Sequence, residues 1–212
     1  MVKKHINSME NKNLKNIDPS VVLGKNTNIG EYVVIKGNSK IGNNVVIDGF
    51  TYINNSVIED NAKIITSHIE DSIIKEFCEV GPFSKIIKNS EIREQAVIGN
   101  FVEIKNSKIG ERTKIKHHAY VGDSDLGMEC NIGCGVIFAN YSGKEKHKIK
   151  VGDNVFVGSN SVLIAPLDIQ KNCYICAGTN LTKNLKENSF VIGRSREIIK
   201  ENMAKKYLKN YK

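Results

Sequence analysis

No stretch of this 212-residue chain approaches the about 18 consecutive apolar residues that a membrane-spanning helix needs, and its N-terminus has no apolar core of a signal peptide. A cytoplasmic location without membrane contact is therefore expected. Cysteine is scarce, with five in all. Cys173 and Cys176 have the spacing of half a zinc knuckle, but no second pair completes it, so no metal site is expected. A hexapeptide hydratase built on a metal would need several histidines converging on one ion. Beyond His117 and His118, which alternate faces along an extended chain, none of the five is placed for that. The net charge of +8 comes with no aromatic platform and no nucleic-acid-binding motif, which argues against a nucleic-acid partner.

What the chain does have is a hydrophobic residue at every sixth position. Leu23, Ile29, Ile35, Ile41, Ile47 and Ile53 form one unbroken series, and Val151, Val157, Leu163, Ile169, Ile175 and Leu181 form another. With 40% of residues hydrophobic, one such run would arise by chance at roughly 0.4%. Between the two series the register continues with occasional five-residue steps, through Ile58, Ile64, Ile69, Ile74, Val80, Ile86, Ile92, Ile98, Ile104, Ile109, Ile115, Val121, Leu126 and Ile132. Two positions before most anchors stands a small or β-branched residue, such as Ser39, Thr51, Ala62, Ser90, Thr113 or Ser161; Cys78, Cys130 and Cys173 share that place and are read as packing residues.

Six is a multiple of the strand period of two but not of the helical period of about 3.6, so the anchors share one face only if the chain is extended. A hexapeptide repeat is the signature of a parallel β-helix, in which each short strand buries one side chain and stacked coils share a core. Three hexapeptides make a triangular coil of about 18 residues, giving roughly eight coils and a prism of about 40 Å. The organisation expected is a flexible arm at residues 1–17, a β-helix over 18–194 and a basic tail over 195–212. In that tail the spacing of Ile198, Ile199, Met203, Tyr207 and Leu208 suggests a short amphipathic helix closing the solenoid. From Arg194 to Lys212 there are seven Lys or Arg, which suit a phosphorylated ligand if they do more than solvate a cap.

The period fails between about Phe138 and Lys150, in the stretch Phe-Ala-Asn-Tyr-Ser-Gly-Lys-Glu-Lys-His-Lys-Ile-Lys. A polar, glycine-containing insertion in so regular a solenoid must leave the prism as a loop, where function tends to sit. Ahead of it come Gly81-Pro82-Phe83, Ile98 through Lys105, His117 through Asp123 and Asn131 through Gly135. After them come Asn140-Tyr141-Ser142-Gly143 with Lys146, and Gly152 through Ser159.

Through these blocks the chain, from Asp18 to Arg194, resembles the C-terminal acetyltransferase domain of the bifunctional bacterial enzyme that makes UDP-N-acetylglucosamine, a hexapeptide-repeat acyltransferase. The resemblance implies an all-β fold, a left-handed parallel β-helix with a short C-terminal helix. It also implies a homotrimer with acetyl-CoA-dependent active sites in the grooves between prisms. His117 falls on the family's catalytic base, and an imidazole can accept a proton near neutrality. Glu103 falls on a carboxylate able to orient that imidazole. Lys85, Lys105, Tyr120, Asn131 and Lys146 fall on residues that hold the sugar phosphate and hydroxyls. Asn140 and Tyr141 fall at the site of acyl transfer, while Cys134, Ser159, Ala177 and Arg194 match coenzyme A contacts. His5, His68, His118 and His147 match no role.

Two departures accompany the resemblance. Nothing in the chain corresponds to the family's N-terminal uridylyltransferase domain, so no uridylyltransferase activity is expected and a separate enzyme of that kind becomes a candidate partner. After Gly-Pro-Phe the family usually has two arginines one residue apart, the second gripping the substrate phosphate; here these positions are Lys85 and Ile87. Because Ile86 is an inward anchor, Ile87 is expected to point outward. The expected function is acetyl-CoA-dependent N-acetylation of an amino sugar, with glucosamine 1-phosphate as the preferred acceptor. A different or nucleotide-linked amino sugar is the alternative, and a non-catalytic trimerising partner of a nucleotidyltransferase is a third reading.

Overall fold

A computed structural model describes residues 16–209, and within them the period of six becomes a stack of coils. Most strands are two or three residues long, and every strand-to-strand pairing is parallel, to the coil before and the coil after. One wall of the prism is a separate sheet of nine strands, from Val22–Leu23 to Leu167–Ile169. That is more rungs than the roughly eight expected, because each five-residue step shortens its coil. Ile53 pairs with Ile69, sixteen residues on, whereas Ile35 pairs with Ile53, eighteen on.

The anchors line a single core. Ile35, Ile53, Ile69, Ile86, Ile104 and Val121 are fully buried, as are Val157, Leu163 and Ile175. Leu23 departs from its series at 43% exposed, since it lies on the first coil and has a neighbour on one side only. The small residues two positions earlier are buried too, and the hydroxyls among them form ladders. The N–H groups of Ser56, Ser72 and Ser124 donate to the Oγ of Ser39, Ser56 and Ser107, one coil back, at 3.0 to 3.2 Å. A row of buried polar groups is thereby satisfied. Burial pushes the thiol of Cys78 up to about 12, so it stays a neutral packing group.

Corners are turned by residues with positive φ, most often asparagine, as at Asn26, Asn44 and Asn61. One edge uses aromatic rings instead: Tyr32 stacks on Phe50 at 5.0 Å, and Phe83 on Phe101 at 5.5 Å. Two strands do not stop at their corner. Val97–Lys105 and Lys114–Gly122 each run nine residues around it, joining two walls into one sheet.

Both ends differ from expectation. The strand Asn16–Ile17 already pairs with Val34–Lys36, so the last two residues assigned to the arm belong to the wall; the rest of the arm, including His5, lies outside the described residues. Among the described residues the tail forms no amphipathic helix packed on the prism. It carries one 3-10 turn, Met203–Lys206, with no buried residue, and Ile198 and Ile199 are more than 80% exposed. The last coil therefore offers these apolar groups no partner among the described residues. No helix among the described residues is long and apolar enough to cross a membrane.

Candidate active site

His117 sits where the strand Lys114–Gly122 rounds its corner, in register with Asn100 on the coil below. The corner is tight: a Cβ on Gly99 would lie 1.9 Å from the carbonyl oxygen of Lys116, so only glycine lets the two long strands bend together. Asn100 Oδ1 faces His117 Nδ1 at 3.0 Å. With Nδ1–H donating to that oxygen, the Nε2 lone pair is left to accept a proton. The imidazole is exposed. Within this chain Glu103, expected to orient that imidazole, is not the residue in register with it. It lies three residues further along its strand, in register with Lys85 and Tyr120, and its carboxylate stands 3.9 Å from Lys85 Nζ. Asn100 lay inside a recognised block, but an asparagine beside a histidine one coil away leaves no local signal.

The residues matched to coenzyme A continue upward from His117 along the same edge. Asn131 pairs with Lys114 and Phe156 with Asn131, which sets Cys134 one coil above His117 and Ser159 above Cys134; Tyr174 pairs with Phe156 and brings Ala177 above Ser159. Backbone bonds tie these corners, from Asn160 N–H to Cys134 O and from Gly178 N–H to Ser159 O, both 2.8 Å. Arg194 closes the row, its Nη1 donating to Ala177 O at 2.6 Å. At about 4.8 Å per coil, His117 to Ala177 spans about 14 Å. Cys134, Ser159, Ala177 and Arg194 are all exposed along it.

A second group gathers one wall further on. Lys85, Glu103 and Tyr120 stack in one outward row, and Ile87, Lys105 and Gly122 in the next. A Cβ on Gly122 would lie 2.4 Å from the Tyr120 hydroxyl and 2.7 Å from Asn140 Nδ2, so its absence lets these two groups approach. Asn140 is 6% exposed and donates to Asp123 Oδ2; Asn106 donates to Asp123 Oδ1 at 2.5 Å, and Lys146 Nζ lies 3.6 Å from Oδ2. Burial works against the charged form of Asp123, but the hydrogen bonds from Asn106 and Asn140 and the nearby Lys146 outweigh it and hold the carboxyl below its ordinary value. The cleft beside it, about 310 Å³, is walled by Asn106, Asp123, Lys146, His147 and Lys148 among others.

The insertion is shorter than the sequence suggests. Phe138 and Ile149 are fully buried core residues, so the excursion narrows to 140–148, and an antiparallel bridge between Tyr141 and Lys146 closes it. Ile87 lies outside the core cluster, on the outer side of the wall, yet is only 8% exposed rather than open to solvent. Asn131 joins neither group; it stands exposed on the preceding wall, beside Lys114 and below Phe156. His117 and Asn140 thus lie at different edges of the prism. Asn140 meets Asp123, and one wall of the prism, from the corner at His118 to the corner at Asp123, separates that pair from His117 by about 16 Å.

The model for the hexapeptide repeat of succinyl-transferase matches residues 148–183. Bifunctional protein GlmU of Clostridium perfringens is 48% identical over 181 residues, covering 85% of this chain and 40% of that protein; GlmU of Streptococcus uberis is 49% identical over 143 residues, covering 68% and 31%. The chain is similar to the C-terminal part of GlmU. It spans about a third to two fifths of the length of those GlmU proteins. Among solved structures, the Francisella novicida UDP-N-acetylglucosamine acyltransferase has a TM-score of 0.54 at 16% identity, over 81% of this chain and 61% of that one. The Bacteroides fragilis LpxA, also a UDP-N-acetylglucosamine acyltransferase, has a TM-score of 0.54 at 18% identity, over 84% and 69%. Both share the β-helical fold with this chain.

Proposed function

We propose that this GlmU-like chain is an acetyl-CoA-dependent N-acetyltransferase whose preferred acceptor is glucosamine 1-phosphate, working as a homotrimer in the cytoplasm. One observation carries the reading: an imidazole with its Nδ1 engaged and its Nε2 free stands at the foot of the edge that bears Cys134, Ser159, Ala177 and Arg194. His117 takes a proton from the sugar amine as its nitrogen attacks the thioester carbonyl; the C–N bond forms, the C–S bond breaks, and the thiolate leaves with a proton. Asn140 and Tyr141 act on the reacting carbonyl, with backbone N–H groups nearby stabilising the oxyanion. Lys85, Lys105, Tyr120, Asn131 and Lys146 hold the sugar and its phosphate, while Glu103 keeps Lys85 in place. Because these groups lie on two edges, the wall between them and, for Asn131, the preceding wall, a second prism is needed to bring the base of one copy against the loop of another, and a ring of three supplies three such grooves. A trimerising partner without activity would have no use for such an imidazole. A separate uridylyltransferase would consume the product.

The test is release of free thiol from acetyl-CoA across a panel of amino sugars, with and without 1-phosphates. Release with glucosamine 1-phosphate above the rest is expected; no release with any amino sugar would sink the reading. Ile87 favours a second acceptor, because it replaces a bidentate phosphate ligand with an apolar group. If the acceptor carries a 1-phosphate, Ile87→Arg should lower its KM severalfold and leave unphosphorylated glucosamine unaffected. If the acceptor lacks that phosphate, the arginine should impair transfer to it. Unchanged kinetics for both would remove position 87 from the site.

A further inference from the structure

Asp123 has no role in the mechanism above, yet it is the most connected carboxylate on that side of the prism. It follows the strand Lys114–Gly122, turns a corner at φ 48°, and its side chain is 13% exposed. One oxygen takes the Asn106 amide and the other takes Asn140 and the Lys146 ammonium. Its backbone carbonyl accepts the N–H of Ile149 at 3.4 Å, so the same residue touches the chain where the loop 140–148 leaves the wall and where it returns. Apart from Lys148 at its returning end, which pairs with Asp125 at 2.5 Å and accepts the N–H of Leu167 at 3.3 Å, the other bonds of the loop fall within it: Tyr141 hydroxyl to Gly143 O at 2.8 Å, and Ser142 N–H to Glu145 O at 3.0 Å. A hairpin tied mainly to itself needs a fixed point outside.

We infer that Asp123 is a positioning residue, whose carboxylate anchors the loop and sets Asn140 and Lys146 toward the acceptor. The inference rests on the acetyltransferase reading of this site. Asp123 acts through Asn140 and Lys146 and does not itself meet the acceptor. An asparagine at 123 would keep the shape but leave one acceptor oxygen where two serve three donors, and would present an amide donor to the rest.

The experiment combines kinetics and hydrogen exchange on the full-length protein for wild type, Asp123→Asn, Asn140→Ala and the double variant. Asp123→Asn should reduce kcat/KM for the acceptor about tenfold or more while the acetyl-CoA KM stays within about twofold, because the coenzyme edge lies a wall away. In the Asn140→Ala background the same change should cost less than about twofold, the non-additivity expected of groups that act as a unit. Exchange over residues 140–148 should speed up severalfold, with residues 131–135 unchanged. Additive losses, or transfer within about twofold of wild type, would overturn the inference, as would loop exchange that does not change. If wild type releases no coenzyme A with any amino sugar, the acetyltransferase reading falls instead, and exchange alone decides whether Asp123 anchors the loop.

Discussion

His117 is served by an amide rather than by a carboxylate, and that choice has consequences. An amide oxygen selects the tautomer and the ring orientation without adding a negative charge beside the imidazole. His117→Ala should lower acetyl transfer about 10² to 10⁴-fold, with acetyl-CoA binding and assembly intact, since only the proton on the acceptor nitrogen needs the base. Asn100→Ala should cost less, because the ring stays and only its orientation is lost. Steady-state thiol release measures both. Turnover of the His117 variant within threefold of wild type would take that residue out of the mechanism.

Among the elements, the exposed tail differs most from the rest. The walls hold themselves together by pairing above and below, whereas residues 195–209 bury nothing and carry Ile198, Ile199, Tyr207 and Leu208 in the open. Removal of Ser195 to Lys212 should therefore leave the unfolding temperature nearly unchanged. The tail follows Arg194, at the top of the edge that the proposed function assigns to the coenzyme, and on that reading its basic groups meet coenzyme phosphates. The deletion should raise the acetyl-CoA KM more than the acceptor KM and abolish its dependence on ionic strength. Unchanged kinetics with an earlier melt would reduce the tail to a cap.

Across the whole molecule the decisive feature is that the base and the loop lie at different edges. A single prism holds His117 and Asn140 at separate edges, so on the proposed reading a site that uses both joins two copies. His117→Ala and Asn140→Ala proteins, each impaired alone, should regain activity when dissociated and reassembled together. Random mixing of equal amounts leaves roughly a quarter of the grooves with both residues intact. Recovery of no activity from trimers shown to be mixed would place both residues within one chain's site.

The repeat was legible because its physics is local. A side chain in an extended segment points in or out by parity, so the anchors from Ile35 to Leu181 and the small residues beside them could be assigned without knowing what they would touch. The insertion was legible for the same reason, as the place where parity failed, although Phe138 and Ile149 show that the core reaches further into it. Parity does not say which residues are neighbours one coil apart. That depends on coils of sixteen to eighteen residues, lengthened further by the loop, and on two strands that bend around a corner instead of ending there. Three residues of offset separate Asn100 from Glu103, and this offset decided which of them meets His117. Stacking likewise covered the outward Ile87 and drew Asn106, Asn140 and Lys146 onto Asp123. The sequence by itself determined the solenoid and its inward face; the stacking of coils of unequal length decided the site.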